Sequence, residues 1–155
     1  MTFQIHPLPA EKFAHLFAMS DEELAENRSI RMTVKEHPGT PCRTTLADAE
    51  LGETVILTNF THLPANNPYH GSHAIYVREG KETVELAAGD VPEVMASRTL
   101  SLRAMDADQL FTHVEVTEGH ELGSALYRIF SDPKVDEVHI HYAGAGCFAA
   151  KATRA

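Results

Sequence analysis

Tryptophan is missing from this chain, and the large-ring packing must therefore come from seven Phe and four Tyr. Cysteine is nearly missing too. Two residues, Cys42 and Cys147, allow one bridge at most, closing a loop of about 100 residues, so a disulfide-built scaffold is excluded. Basic side chains are scarce: 13 Lys and Arg face 22 Asp and Glu, for a formal charge of −9. A net anionic surface repels phosphate backbones and anionic lipid, which argues against nucleic-acid and membrane partners. No apolar run approaches the roughly 20 residues of a membrane-spanning helix. The opening MTFQIHPLPAEKF has no basic stretch followed by an apolar one, and the closing AAKATRA has no prenylation cysteine. A cytoplasmic protein with both thiols reduced is expected. Internal repeats and low-complexity tracts are also lacking.

What is present fits one globular domain over residues 1–155, with 43% apolar residues and a core large enough to need no metal for folding. Periodicity switches between two and 3.6, the mark of a mixed domain. Strands are predicted at Phe3 to Pro7, around Ile30 to Val34, at Thr54 to Phe60, and from His73 to Glu79. Further strands are predicted at Arg98 to Met105, Leu110 to Val116, Glu137 to Tyr142 and Cys147 to Thr153. Pro9 suits a first helical turn, Ser20-Asp-Glu-Glu23 is a capping-box pattern, and Asp90 is placed to cap a brief helix through Met95. The best helical pattern is Leu122, Ala125, Leu126, Ile129 and Phe130, with Thr117 as N-cap and Asp132-Pro133 as stop. The fold class read from this order is α+β: a largely antiparallel β-sheet with two or three helices packed on one face.

Three segments stand out: Pro41-Cys42-Arg43; the run from Asn67 through Pro68-Tyr69 to Ser72-His73 and Arg78-Glu79; and Val138 to Phe148. With Leu8-Pro9 and Ser101 to Ala104 they resemble the bacterial domain-of-unknown-function family numbered 1203, over essentially the whole chain. The resemblance implies a stand-alone bacterial domain and no particular reaction.

The richest chemistry lies in the closing strand. Alternation sets Val138, Ile140 and Tyr142 on one face and Glu137, His139 and His141 on the other. Residues i and i+2 of a strand lie about 6.6–6.8 Å apart, and two imidazoles at that spacing can converge on one ion with bonds of about 2.0–2.1 Å. His139 and His141 are thus candidate metal ligands, for zinc or iron. A zinc site needs at least three protein ligands, and His73, His70, Cys147 or Cys42 are the available additions. Two polar rings facing water on a half-exposed sheet are the plainer alternative. Cys147 follows Gly144-Ala-Gly146, whose amides can hold an anion and lower a thiol pKa, so it is a candidate nucleophile. A small buried cysteine at a strand start is the commoner case. His73 alternates with Ile75 and Val77, so it reads either as a catalytic group or as a hydrogen-bonded histidine on the core side.

Arg43, Arg78 and Arg103 lie in or beside strands, where a guanidinium can hold a carboxylate or phosphate with two hydrogen bonds. Ion pairs with the many acidic residues are the default for them. No Gly-Lys-Ser/Thr follows the glycines of the last turn, so a phosphate loop is unsupported. Cys42, Arg43, Tyr69 and Arg78 are carried as ligand-binding candidates. His139, His141, Cys147 and His73 are carried as catalytic ones, with Glu137 as ligand or general base. The function expected is binding or conversion of a small anionic metabolite, metal-assisted if a metal is present. The competing expectation is a non-enzymatic interaction module that forms a homodimer through an exposed edge strand.

Overall fold

Phe3 and Ile5 are buried and Gln4 and His6 half-buried in β1 (Phe3–His6), the alternation of a strand with one core face. The computed structural model describes residues 2–155. After Pro9 the chain makes two 3-10 turns, Ala10–Lys12 and Ala14–Ala18, where an α-helix was expected. Buried Phe13 and Leu16 are three apart, which suits three residues per turn. The capping box forms as predicted and opens α1 (Asp21–Glu26). The Glu23 amide donates to Ser20 Oγ at 3.1 Å, and the Ser20 amide donates to Glu23 Oε2 at 2.7 Å.

β2 (Ser29–Thr33) corrects one expectation. Ile30 and Met32 are 60% and 39% exposed, and it is Ser29 that turns inward, its hydroxyl 2.7 Å from that of Thr58. Apolar alternation misreads this strand because its register sets Ser29 and Arg31 beside Thr58 and Ile56, on the core side, and leaves Ile30 and Met32 on the other. β3 (Thr54–Leu63), β4 (Gly71–Arg78) and α2 (Glu93–Ala96) follow. Pro92, not Asp90, stands at the N-cap of α2; Asp90 accepts from the Ala87 amide instead. Next come β5 (Thr99–Met105), β6 (Phe111–Glu118), α3 (Leu122–Phe130), β7 (Glu137–Tyr142) and β8 (Phe148–Arg154). All five apolar positions predicted for α3 are buried. Its N-cap is Glu121, because Thr117 remains in β6 and a 3-10 turn, Gly119–Glu121, intervenes.

The chain is thus α+β, dominated by antiparallel strands, with three short α-helices among the described residues. It forms two compact units. The smaller comprises Pro7–Phe60 and Ser72–Val84. Its core gathers Phe13, Leu16, Leu24, Ile56, Ile75 and Val77. The larger comprises the N-terminal strand, Thr61–Gly71 and Glu85–Ala155, and contains a five-stranded sheet of order β1-β8-β7-β5-β6. Cross-strand partners point to the same side of a sheet. The registers therefore place Phe3, Ile5, Ala152, Val138, Ile140, Leu102 and Leu100 on one side or its rim, all buried. α3 lies against that side: Tyr127 meets Phe3 edge-on at 5.7 Å, and Arg154 donates to the Phe130 carbonyl. No helix among the described residues is long and apolar enough to cross a membrane.

Gly119 links β6 to α3 under severe crowding. A Cβ there would lie 1.8 Å from the Met95 carbonyl oxygen and 2.6 Å from that of Arg98. Backbone atoms cannot swing aside as a side chain can. Gly119→Ala should therefore cost about 1–3 kcal/mol or more in denaturant unfolding, and a cost under about 0.5 kcal/mol would mean the junction is loose.

α3 is also tied to β6 by charge. Arg128 donates twice to Glu115, at 2.7 and 2.9 Å, and His113 lies 2.6 Å from the same carboxylate. The Arg128 bonds, chiefly, hold the Glu115 carboxyl down at about 2. The unfolded chain then binds a proton more readily than the folded one between these limits. The stability due to Glu115 should be complete above about pH 4.5 and lost progressively toward about pH 2. In acid titrations of unfolding, Glu115→Gln should remove that part of the slope; an unchanged slope would show that the pair contributes nothing.

Candidate metal centre

The side of the five-stranded sheet away from α3 is the polar one. On it the registers align Lys151 and Thr153 of β8, Glu137, His139 and His141 of β7, and Ser101 and Arg103 of β5. Polar residues on a sheet face ordinarily meet water, but those of β7 do not. All six residues of β7 are buried, His139 being 3% and His141 0% exposed. The plainer alternative of two rings facing solvent is thereby overturned, whereas their placement on one face of the strand holds.

A third imidazole joins them. His62, near the end of β3, has its ring centre 4.9 Å from that of His141 and 5.7 Å from that of His139. One ligand-capable atom from each of His62, His139 and His141 lies within 4.8 Å of the other two. Among the described residues this is the only such group of three. An ion bound at about 2.0–2.1 Å needs its ligand nitrogens no more than roughly 4 Å apart, so the three must draw closer together to hold one.

The neighbours of the two β7 histidines decide which nitrogen each can offer. His141 Nδ1 lies 2.9 Å from the Gly146 carbonyl, which only accepts, so Nδ1 carries the proton and Nε2 keeps its lone pair. His139 Nε2 lies 3.0 Å from Glu137 Oε1, while its Nδ1 is buried with no hydrogen-bond partner among the described residues. Glu137 is ionised: the hydrogen bond from His139, helped by Lys151 at 3.3 Å, holds its carboxyl at about 2 against the opposing effect of burial. It therefore accepts from His139 and leaves Nδ1 to face inward. Burial pushes His141 down to about 3, although the bond to Gly146 works the other way, and the ring is neutral at physiological pH. A carboxylate or carbonyl behind each imidazole is the arrangement that orients metal-binding histidines.

Three local features position the rings. Gly146 takes φ +79°, a left-handed conformation that closes the turn between β7 and β8 and aims its carbonyl at His141. The register of β7 and β8 then shifts between Ile140 and His141, so that Phe148, not Ala149, stands opposite His141. This bulge turns Phe148 to the histidine side. Its ring stacks on His62 at 5.4 Å and meets His139 and His141 edge-on at 5.3 and 5.7 Å. The loop after His62 is pinned by Asn67, whose amide donates to the Gln109 carbonyl at 3.1 Å, and by Tyr69, stacked on Phe111.

The other predicted residues take different places. Cys147 lies in the turn beside Gly146, half-buried and not in a disulfide, outside the three-nitrogen group. His73 is half-buried on β4, on the same strand face as Ile75 and Val77. Cys42 is free and fully buried, 3.4 Å from the Thr44 hydroxyl. Arg43 is 1% exposed and donates to the Pro41 carbonyl. Arg78 lines an open cleft of the smaller unit, but Glu53 takes its fork in two bonds of 2.6 and 2.7 Å. Tyr69 is 40% exposed and serves the loop that carries His62. His62 itself was missed, because the predicted strand stopped at Phe60. One more step of the alternation Ile56, Thr58, Phe60 would have reached it.

The family model described as a protein of unknown function (DUF1203) matches residues 39–154. The chain belongs to that family. The matched span includes His62, His139 and His141, together with Gly146 and Phe148. No curated protein and no solved structure matches this DUF1203 chain.

The hydrogen-bond pattern makes opposite demands on neighbouring histidines. In metal-free protein near neutral pH, nitrogen-edited NMR should find His141 protonated at Nδ1 and His139 at Nε2. Finding both rings in the same tautomer would refute the assignment of their inward-facing nitrogens.

Proposed function

We propose that this DUF1203 protein binds one transition-metal ion through His62, His139 and His141 and uses it on a small molecule. The observation that carries the proposal is the convergence of three imidazoles, two of them backed by acceptors that fix their tautomers. Three neutral nitrogen ligands suit zinc or iron(II) and leave a coordination position open, the pattern of catalytic rather than structural sites. Because none of the three ligands carries charge, the ion keeps its full dipositive charge for polarising a carbonyl, a phosphoryl group or a water. Metal-assisted hydrolysis or lysis is the reaction class this favours. Glu137 acts behind His139 in this scheme, orienting the ring, and not as a ligand. A reducing, cytoplasmic setting is in keeping with Cys42 and Cys147 standing outside any disulfide.

Elemental analysis of untagged protein should find close to one equivalent of zinc or iron. His62→Ala, which alters the half-buried member of the set, should lose most of it while keeping the far-ultraviolet spectrum of the parent. Cys147→Ser should keep its metal. Metal far below stoichiometry in the parent, with no uptake on reconstitution, would remove the reading.

One observation favours a second reading. β6 ends its sheet, and Val114 and Val116 on it are 55% and 68% exposed. An apolar edge strand of this kind supports pairing with a second copy of the chain, a homodimer whose role is interaction and not catalysis.

A further inference from the structure

Arg103 is paired with His139 across β5 and β7, which sets its side chain on the histidine side of the sheet. It is half-buried, and burial lowers its pKa, yet no described residue gives it a hydrogen bond or an ion pair. Every other arginine that is wholly or partly buried has an oxygen acceptor. Arg31 has Asp21, Arg78 has Glu53, Arg43 and Arg98 have backbone carbonyls, and Arg154 has three of them. The neighbours of Arg103 offer nothing comparable. Its partner on β6 is Val114, and the carboxylate of Glu137, next along the histidine face, is already engaged by His139 and Lys151.

A guanidinium partly withdrawn from water and left without an acceptor is costly, and folded chains keep such groups where a ligand supplies the acceptor. The charge balance argues the same way. With an ion in place, a dication held by three neutral imidazoles stands beside the positive Arg103, and the two repel. An anion reaching both relieves that repulsion. The planar fork of arginine matches two oxygens of a carboxylate or phosphate, leaving another oxygen, or the group next to it, for the open position of the metal.

We propose that the ligand of this centre is a small oxyanion, a carboxylate or phosphate group, clamped by Arg103 and drawn by it onto the metal. The proposal rests on the three-histidine metal centre. It assigns the substrate class of that centre: a small anionic metabolite whose charged group lies close to the bond on which the metal acts. Arg103 thereby becomes a binding residue rather than a ligand of the ion, so its loss should spare the metal.

Cobalt(II) loading of the metal-free protein separates the two claims, because the visible spectrum reports the ion before any anion is added. Cobalt should bind at about one equivalent, and inorganic phosphate or acetate should then shift the spectrum saturably. The stronger of the two titrations tells which oxyanion the site prefers. Arg103→Gln should take up cobalt with an unchanged spectrum but bind the preferred anion about ten- to a hundredfold more weakly. Arg103→Lys, which keeps the charge and loses the fork, should fall between. Failure of the parent protein to bind cobalt would sink the metal centre and this inference with it. Cobalt binding with no response to either anion, or with equal anion affinity in Arg103→Gln and parent, would overturn the role of Arg103 and leave the metal centre standing.

Discussion

Imidazole nitrogens are polar on two edges of the ring, and a buried ring must have both edges answered. His139 and His141 sit on a strand with no exposed residue, so water cannot do this for them. One edge of each is met by a protein acceptor: Glu137 for His139, the Gly146 carbonyl for His141. Much of the surrounding structure follows from those two contacts. The Gly146 carbonyl can reach His141 only because the turn passes through a left-handed residue. Glu137 can remain charged at 9% exposure only because His139 and Lys151 stand against it. The bulge in β8 then brings Phe148 between the rings, filling with an apolar face what would otherwise be a void among polar edges.

The large elements were legible in the sequence because they rest on periodicity. The five apolar positions of α3, the capping box of α1, and the strands β5, β7 and β8 all follow from residues that repeat at the spacing of their element. What was not legible depended on pairing. That Ile30 and Met32 face outward follows from the register of β2 on β3, and no local pattern encodes strand pairing. The two-residue extension of β3 to His62 and beyond is held by a loop whose anchors, Gln109 and Phe111, lie far along the chain. Thr117 has the chemistry of an N-cap, but strand pairing with Leu100 keeps it in β6.

The same distinction divides the candidate site. Two of its three histidines were visible as His-x-His on a strand, since i and i+2 share a face whatever the fold. The third was sought among His73, His70, Cys147 and Cys42, the reactive residues nearest to motifs. The structure supplies it from a strand end that carries no motif at all. Cys147 illustrates why proximity in sequence misleads: it is adjacent to Gly146, yet what the turn presents to the histidines is the glycine carbonyl and, past the bulge, the Phe148 ring. The cysteine is passed over because the register shift reassigns which residue faces the site.

Arg78 and Arg103 show how little residue type alone decides. Both were read as guanidinium forks in strands, suited to an oxyanion. Arg78 meets Glu53, whose carboxyl its hydrogen bonds hold below the usual range, so the oxyanion it binds is part of its own chain. Arg103 is paired across its strand with Val114 and His139 and forms a hydrogen bond to neither. The difference lies in strand order, which brings an acidic residue to one arginine and withholds it from the other. In an acidic chain, with 22 carboxylates available for 13 basic groups, an arginine left without a partner beside three imidazoles is the less expected arrangement. Coulombic attraction would ordinarily have paired it. That it stands unpaired on the same face as the histidines ties it to whatever negative charge the centre receives from outside.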